Sequence, residues 1–247
     1  MAYRFSFQAK PWLAALLLAG HAAVASPLLI TTESSAPAIM VEDGQVTGRE
    51  TDKVREMMAR TGTPFSIEVL PWKRAYTMAL NQAQTCVYST SRTPERDRLF
   101  KWVGPTDEAF WEFWGRADHD FPLRTLEDAR KLRIGTYNGD ARDEFLRSRG
   151  FHVEPVSNDL VNPQKLMMKR IDLWAVSRRA SAPLTHYGWS SEVVPLLVFN
   201  RVKVYLACNP SVPDELVARL NAALDEMRRD GTMSRLEKKY EHWNEPK

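Results

Sequence analysis

The stretch from Glu68 to Pro105, EVLPWKRAYTMALNQAQTCVYSTSRTPERDRLFKWVGP, constrains the fold more than any other. Its pattern predicts strand, helix, strand, polar loop, one helical turn and strand again. Phe65 to Leu70 has strand composition, and Pro71 suits the first position of a helix, where its missing N–H costs nothing. Ala75, Met78 and Ala79 then fall at i, i+3, i+4 and give that helix a buried stripe. Cys86-Val87-Tyr88 is a short apolar strand that runs into Ser89-Thr90-Ser91-Arg92-Thr93-Pro94-Glu95-Arg96. Thr93 is placed to cap, and Pro94 to open, a helical turn carrying Arg96. Hydroxyls, free backbone N–H groups and a guanidinium therefore gather at the end of a strand. That combination binds an anion, most naturally a carboxylate.

The rest of the chain alternates in the same way. Pro27 to Thr32 is a first strand, and Glu33 sits at its C-terminal end, the edge where open α/β sheets bind ligands. Glu33 is either a site residue or a solvated loop acid. Gly44 and Gly48 mark a turn. Asp52 to Thr61 is a helix with Val54, Met57 and Met58 inward, stopped by Gly62. In the next helix Trp72 is either an aromatic wall of the site or core, Arg74 can reach in, and Lys73 is a surface charge. Phe100 to Pro105 and Glu108 to Gly115 are extended, with Trp111 and Trp114 either touching ligand or packing against other parts of the chain. Thr125 caps a short helix over 126–131, and Leu132 to Thr136 is a strand. Gly139 and Asp140 start a helix that ends near Gly150, and its N-terminus is a second anion-friendly end. Asp140 is either a plain N-cap or an acceptor for a ligand amine. Pro163 opens a helix carrying Leu166 and Met167. Leu216, Val217, Leu220, Ala223, Leu224 and Met227 form a 3.6-residue stripe ended by Gly231, and Thr232 caps a last helix with Met233, Leu236, Tyr240 and Trp243 on one side.

The pieces PWKRAY, YSTSRTPER, FKWVGP, RIDLWA and DGTMSRLEKKY, in this order and spacing, resemble the bacterial extracellular solute-binding proteins of family 3, the amino-acid-binding type. The resemblance spans nearly the whole mature chain. It implies an α/β fold of the type 2 periplasmic-binding-protein kind, two lobes with a cleft and a two-segment hinge. Residues 26–108 plus 200–247 would form a discontinuous first lobe, and 109–199 the second. The returning segments are Pro195 to Asn200 and Lys203 to Cys208. Arg96 matches the family arginine that clamps a ligand carboxylate, with Ser89, Thr90 and Ser91 supplying further donors. Arg92 is its rival for that role. Cys86 and Cys208, two buried thiols as far as sequence alone goes, would be bonded between neighbouring strands. In the chain-entropy picture so long a loop contributes roughly 4–5 kcal/mol at most.

Three departures matter. The family aromatic after the first strand is missing from Ser35-Ala36-Pro37-Ala38. Lys169 stands for glycine in the Gly-x-x-Asp pattern, whose aspartate is Asp172, a structural residue. Where amino-acid binders often hold the ligand ammonium, this chain has Ser177, followed by Arg178 and Arg179. An ordinary α-amino acid is thus disfavoured, which leaves a more anionic ligand, or an amine held by Glu33 or Asp140.

Met1 to Ala25 has a basic start, an apolar run from Leu13 to Val24 and an A-x-A site ending at Ala25, which predicts a cleaved secretion signal and a periplasmic protein. The apolar run is too short to be a comfortable membrane span. Losing Arg4 and Lys10 takes the formal charge from +3 to +1, so the charge gives no argument for nucleic acid. No metal-ligand spacing, nucleophile elbow, P-loop or dinucleotide fingerprint is present, and no cofactor is expected. The sequence therefore predicts a monomeric, non-enzymatic binding protein that takes a small-molecule ligand and delivers it to an ABC permease in the inner membrane. An enzyme on the same scaffold, dehydratase-like or peptidoglycan-acting, and a ligand-presenting sensor module are the alternatives.

Overall fold

The computed structural model describes residues 27–177, 188–189 and 191–241. The expected secretion signal, Arg178, Arg179 and Trp243 lie outside the described residues. Among the described residues ten strands and six α-helices follow in chain order: β1 (Leu28–Thr32), β2 (Met40–Glu42), β3 (Gln45–Thr47), α1 (Arg49–Thr61), β4 (Phe65–Val69), α2 (Trp72–Asn81), β5 (Thr85–Ser91), β6 (Lys101–Arg116), β7 (Ile134–Tyr137), α3 (Ala141–Ser148), β8 (Val153–Val156), α4 (Val161–Met167), β9 (Leu173–Ser177), β10 (Val193–Cys208), α5 (Asp214–Arg229) and α6 (Thr232–Lys238).

Two long strands organise the molecule. β6 and β10 pair antiparallel and lie at the centre of an eight-stranded sheet of order β4-β1-β5-β10-β6-β9-β7-β8. On one side β1, β4 and β5 are parallel to one another, and on the other β7 is parallel to β8 and β9. Each group carries its own buried clusters. In the first lobe Leu28, Ile30, Met57, Leu220 and Leu224 pack under α1 and α5, and Ala75, Ala79, Val87 and Phe100 pack under α2. In the second, Phe113, Ile134, Leu146 and Leu173 lie under α3, and Trp114, Leu166 and Ile171 under α4. Each Leu, Ile, Val, Met or Phe among them contributes about 1.5–3 kcal/mol by burial. Separate cores joined by two strands make a two-lobed α/β fold with a two-segment hinge. The pairing of those strands shifts register at Pro195/Leu197, Val198/Asn200 and Val204/Leu206.

The expected stripe of α1 is buried, as are Leu220, Ala223, Leu224 and Met227 of α5, while Leu216 and Val217 are half-buried, and Gly62 ends α1 in the left-handed region. Several details differ from the sequence reading. β6 runs unbroken for 16 residues, because its two expected pieces share one partner, β10. α1 starts at Arg49, since Gly48 at φ 111 lets the chain pass close to the Ala38 carbonyl. Thr93 caps nothing: its Oγ1 has no partner among the described residues, and Arg96 precedes a 3-10 turn over 97–99. Thr232 does not cap α6 either; Gly231 occupies the N-cap, and Asp230 Oδ1 accepts from the Thr232 N–H. Lys169, standing for the family glycine, holds φ 56, a backbone state that favours glycine. Asp172 accepts from the Arg133 backbone N–H and guanidinium, as a structural residue should.

Cys86 and Cys208 face each other across β5 and β10 and form a disulfide of 2.06 Å. Among the described residues no helix is long and apolar enough to cross a membrane.

Candidate functional site

The C-terminal ends of β1 and β5 in the first lobe face those of β7, β8 and β9 in the second. Between them lies a cleft of about 880 Å³, lined by Glu33, Trp72, Ser89, Ser91, Arg96, Trp111, Asp140, Arg142, Asp159, Trp174 and Ser177, among others.

Arg96 is 1% exposed and reaches across the cleft. Its Nε donates to Glu144 Oε2 at 2.8 Å, and its Nη2 donates to Glu144 Oε1 at 2.9 Å and to the Gly139 carbonyl at 2.9 Å. Its guanidinium also lies 4.6 Å from the centre of the Tyr76 ring. One edge of the fork thus already holds a carboxylate from α3 of the other lobe. Only Nη1 has no partner among the described residues. Ser89 Oγ, on the same wall, is likewise buried without a partner.

The other expected residues divide cleanly. Ser91 lines the cleft. Thr90 does not: it points to the opposite face and donates to the Val87 carbonyl at 3.1 Å, as strand alternation requires. Arg74 does not reach in either. It is exposed on α2 and borders a separate hollow of about 610 Å³ with Lys73 and Met78. Arg92 is turned outward against Asp97 and the rings of Trp102 and Tyr205, so of the two arginines only Arg96 lines the cleft. Trp111 borders the cleft, while Trp114 packs on Trp174 and donates to Glu112.

Trp72 ties the lobes together. Its backbone N–H donates to Glu33 Oε1 at 3.1 Å and its indole to the Gly139 carbonyl at 2.8 Å. From the second lobe, the Tyr137 hydroxyl donates to the same Glu33 oxygen at 2.6 Å. Burial raises the Glu33 carboxyl above its ordinary range, against the pull of these two donors. Burial and the bond to Glu33 push the Tyr137 phenol upward as well.

Asp140 is the N-cap of α3. It accepts from the Arg142 N–H at 2.7 Å and is gripped by the Arg142 guanidinium at 2.7 and 2.6 Å. Burial alone would raise this carboxyl, but Arg142 holds it below the usual range.

Arg142, Glu144, Tyr137, Asp159 and Trp174 were not anticipated. Asp159 Oδ1 accepts from the Trp174 indole at 2.8 Å and from Asn162 Nδ2 at 2.9 Å. Burial raises this carboxyl, with Arg142 opposing. The rule that singled out Glu33, an acid just past a strand end, applies equally to Asp159. Pro155 hid β8, because a proline weakens a strand signal.

The profile of the bacterial extracellular solute-binding proteins, family 3, matches residues 28–242. The chain belongs to this family. It is 23% identical over 218 residues to the L-cystine-binding protein TcyJ of Escherichia coli K12, covering 86% of this chain and 82% of TcyJ. Among solved structures, a histidine kinase sensor domain with similarity to periplasmic binding proteins superposes with a TM-score of 0.79 at 16% identity, over 87% of this chain and 95% of that one. The P235GK mutant of ArgBP from T. maritima gives 0.74 at 20% identity, over 86% and 94%. At these identities the structures establish the fold, the type 2 periplasmic-binding-protein architecture.

Proposed function

We propose that the protein is exported to the periplasm after cleavage at Ala25 and works as a monomer, capturing a small carboxylate-bearing solute, an amino acid or related organic acid, between its lobes. Residues 26–108 with 200–247 act as one jaw and 109–199 as the other, and closure buries the ligand at the hinge. The observation that carries this reading is the pair of buried donors, Arg96 Nη1 and Ser89 Oγ, which have no partner among the described residues and belong to two residues that border the cleft. A buried donor without an acceptor is costly, and a ligand carboxylate would satisfy both. Glu144, holding the far edge of the Arg96 fork, aims the open nitrogen at the ligand. Ser91 borders the same wall. Delivery to an ABC permease is the role that follows from family membership. The likeness to a kinase sensor domain supports a second reading, presentation of the bound solute to a receptor.

Arg96→Ala and Ser89→Ala test the site. A charge-assisted hydrogen bond contributes about 1.5–3 kcal/mol, so calorimetry should show at least a tenfold loss for Arg96→Ala. Ser89→Ala should weaken binding while leaving the melting temperature of the empty protein unchanged or higher, because it deletes an unsatisfied buried hydroxyl. Wild-type affinity in both variants would refute the assignment. Recovery of the ligand chemically altered after incubation would favour an enzyme instead.

A further inference from the structure

The cleft holds two carboxylates in matching circumstances, one from each lobe. Glu33 accepts both of its hydrogen bonds on Oε1, from the Trp72 N–H and the Tyr137 hydroxyl. Asp159 accepts both of its own on Oδ1, from the indole of Trp174 and the amide of Asn162. Among the described residues neither second oxygen has a donor, and neither acid has a salt bridge. The cation near them, Arg142, is engaged two-pronged by Asp140. Arg96 is engaged by Glu144. Among the described residues the cleft is bordered by the acids Glu33, Asp140 and Asp159 and the bases Arg96 and Arg142. Burial lifts both carboxyls, against the pull of the Tyr137 and Trp72 donors at Glu33 and of the nearby Arg142 guanidinium at Asp159.

That these acids face a ligand rather than solvent rests on a separate observation. Arg96, 1% exposed, borders the same cleft and keeps a buried Nη1 with no partner among the described residues. The cleft thus offers a donor for an anion and, apart from it, open acceptors for a cation.

We propose that Glu33 and Asp159 together receive a cationic nitrogen of the ligand, so that the captured solute is a zwitterion or a cation-bearing acid and not a simple organic acid. This rests on the capture reading above and specifies it further. Ser177, where many relatives carry an ammonium-binding aspartate, borders the same cleft. The acceptor has moved from the end of β9 to the loop after β8, with Glu33 of the first lobe as its partner. Because the two acids come from opposite lobes, the cation also helps draw the lobes together. Asp140 is excluded from the role by its pairing with Arg142.

The experiment is a thermal-shift and calorimetric panel on the mature protein. L-arginine, L-ornithine and 4-aminobutyrate are set against valerate and glutarate, which lack nitrogen. The variants are the near-isosteric Glu33→Gln and Asp159→Asn, each checked for cooperative melting without ligand. The nitrogen-bearing probes should raise the melting temperature and the other acids should not. Each variant should bind the best probe at least tenfold more weakly. If valerate or glutarate binds as well as any nitrogen-bearing probe, the cation site is refuted while carboxylate capture stands. Equal affinity in wild type and both variants, or no shift with any nitrogen-bearing probe, also refutes it. Loss in these two variants with none in Ser89→Ala and Arg96→Ala would keep the cation site and remove the carboxylate clamp.

Discussion

Two buried ionic groups in this molecule look alike by composition and differ in how completely they are bonded. Behind α1, Lys53 is 0% exposed and gives its ammonium to Glu50 Oε1, the Thr106 carbonyl and Glu237 Oε1. The other oxygen of Glu50 accepts from the Thr106 hydroxyl at 2.7 Å. An ammonium has three donors, and all three are used. In the cleft, by contrast, among the described residues Arg96 keeps an open nitrogen, Ser89 an open hydroxyl, and Glu33 and Asp159 each an open oxygen. A saturated buried network fixes structure; an unsaturated one, placed where two lobes meet, is shaped for something that arrives from solution.

That contrast is open to attack at both ends. Lys53→Met should have the largest effect. It strands Glu50 in the interior, and breaking a buried pair typically costs about 3–5 kcal/mol, measurable by urea unfolding. A loss under 1 kcal/mol would mean that the network is not the structural half of the pair. Glu144→Ala should come next. It leaves the Arg96 guanidinium buried beside the Gly139 carbonyl without a counter-ion, a cost of about 1–3 kcal/mol. The molecule can lower that cost by opening and hydrating the guanidinium, so the radius of gyration of the empty protein in small-angle scattering should rise.

The pH response should be smaller and of opposite sign at different acids. Glu33 and Asp159 titrate above their unfolded values, so the folded state holds those protons more tightly. Their ionisation therefore destabilises the empty protein at neutral pH, and that penalty disappears as pH falls through the raised values. Glu33→Gln and Asp159→Asn should melt at or above wild type at pH 7, with the difference shrinking on acidification. Asp140 titrates low, so its stabilising pair with Arg142 persists above the ordinary aspartate range and is lost as pH falls through the lowered value. A variant at Glu33 or Asp159 that melts lower than wild type at pH 7 would contradict the contrast.

Much of the architecture was legible because it follows from periodicity. The stripe Val54, Met57, Met58 and the stripe Leu220, Ala223, Leu224, Met227 are both buried. Periodicity also argued against Arg74. Trp72, Ala75 and Ala79 share one buried face of α2, and Arg74, two residues past Trp72, falls outside it. Alternation likewise separates Thr90 from Ser89 and Ser91. The partner of Arg96 was not legible, since Glu144 lies 48 residues on, in another lobe, and nothing local announces the pair. Family resemblance brought Arg96 to the cleft wall but carried no information about which of its nitrogens would stay open.

The disulfide has one more consequence. By joining Cys86 to Cys208, 122 positions apart, it makes the chain between them, including all of the second lobe, a covalent ring with the first lobe as its clasp. A protease that cuts this ring once opens it without dividing the molecule. The nicked protein should migrate as one species until a reductant is added, and only then fall into two.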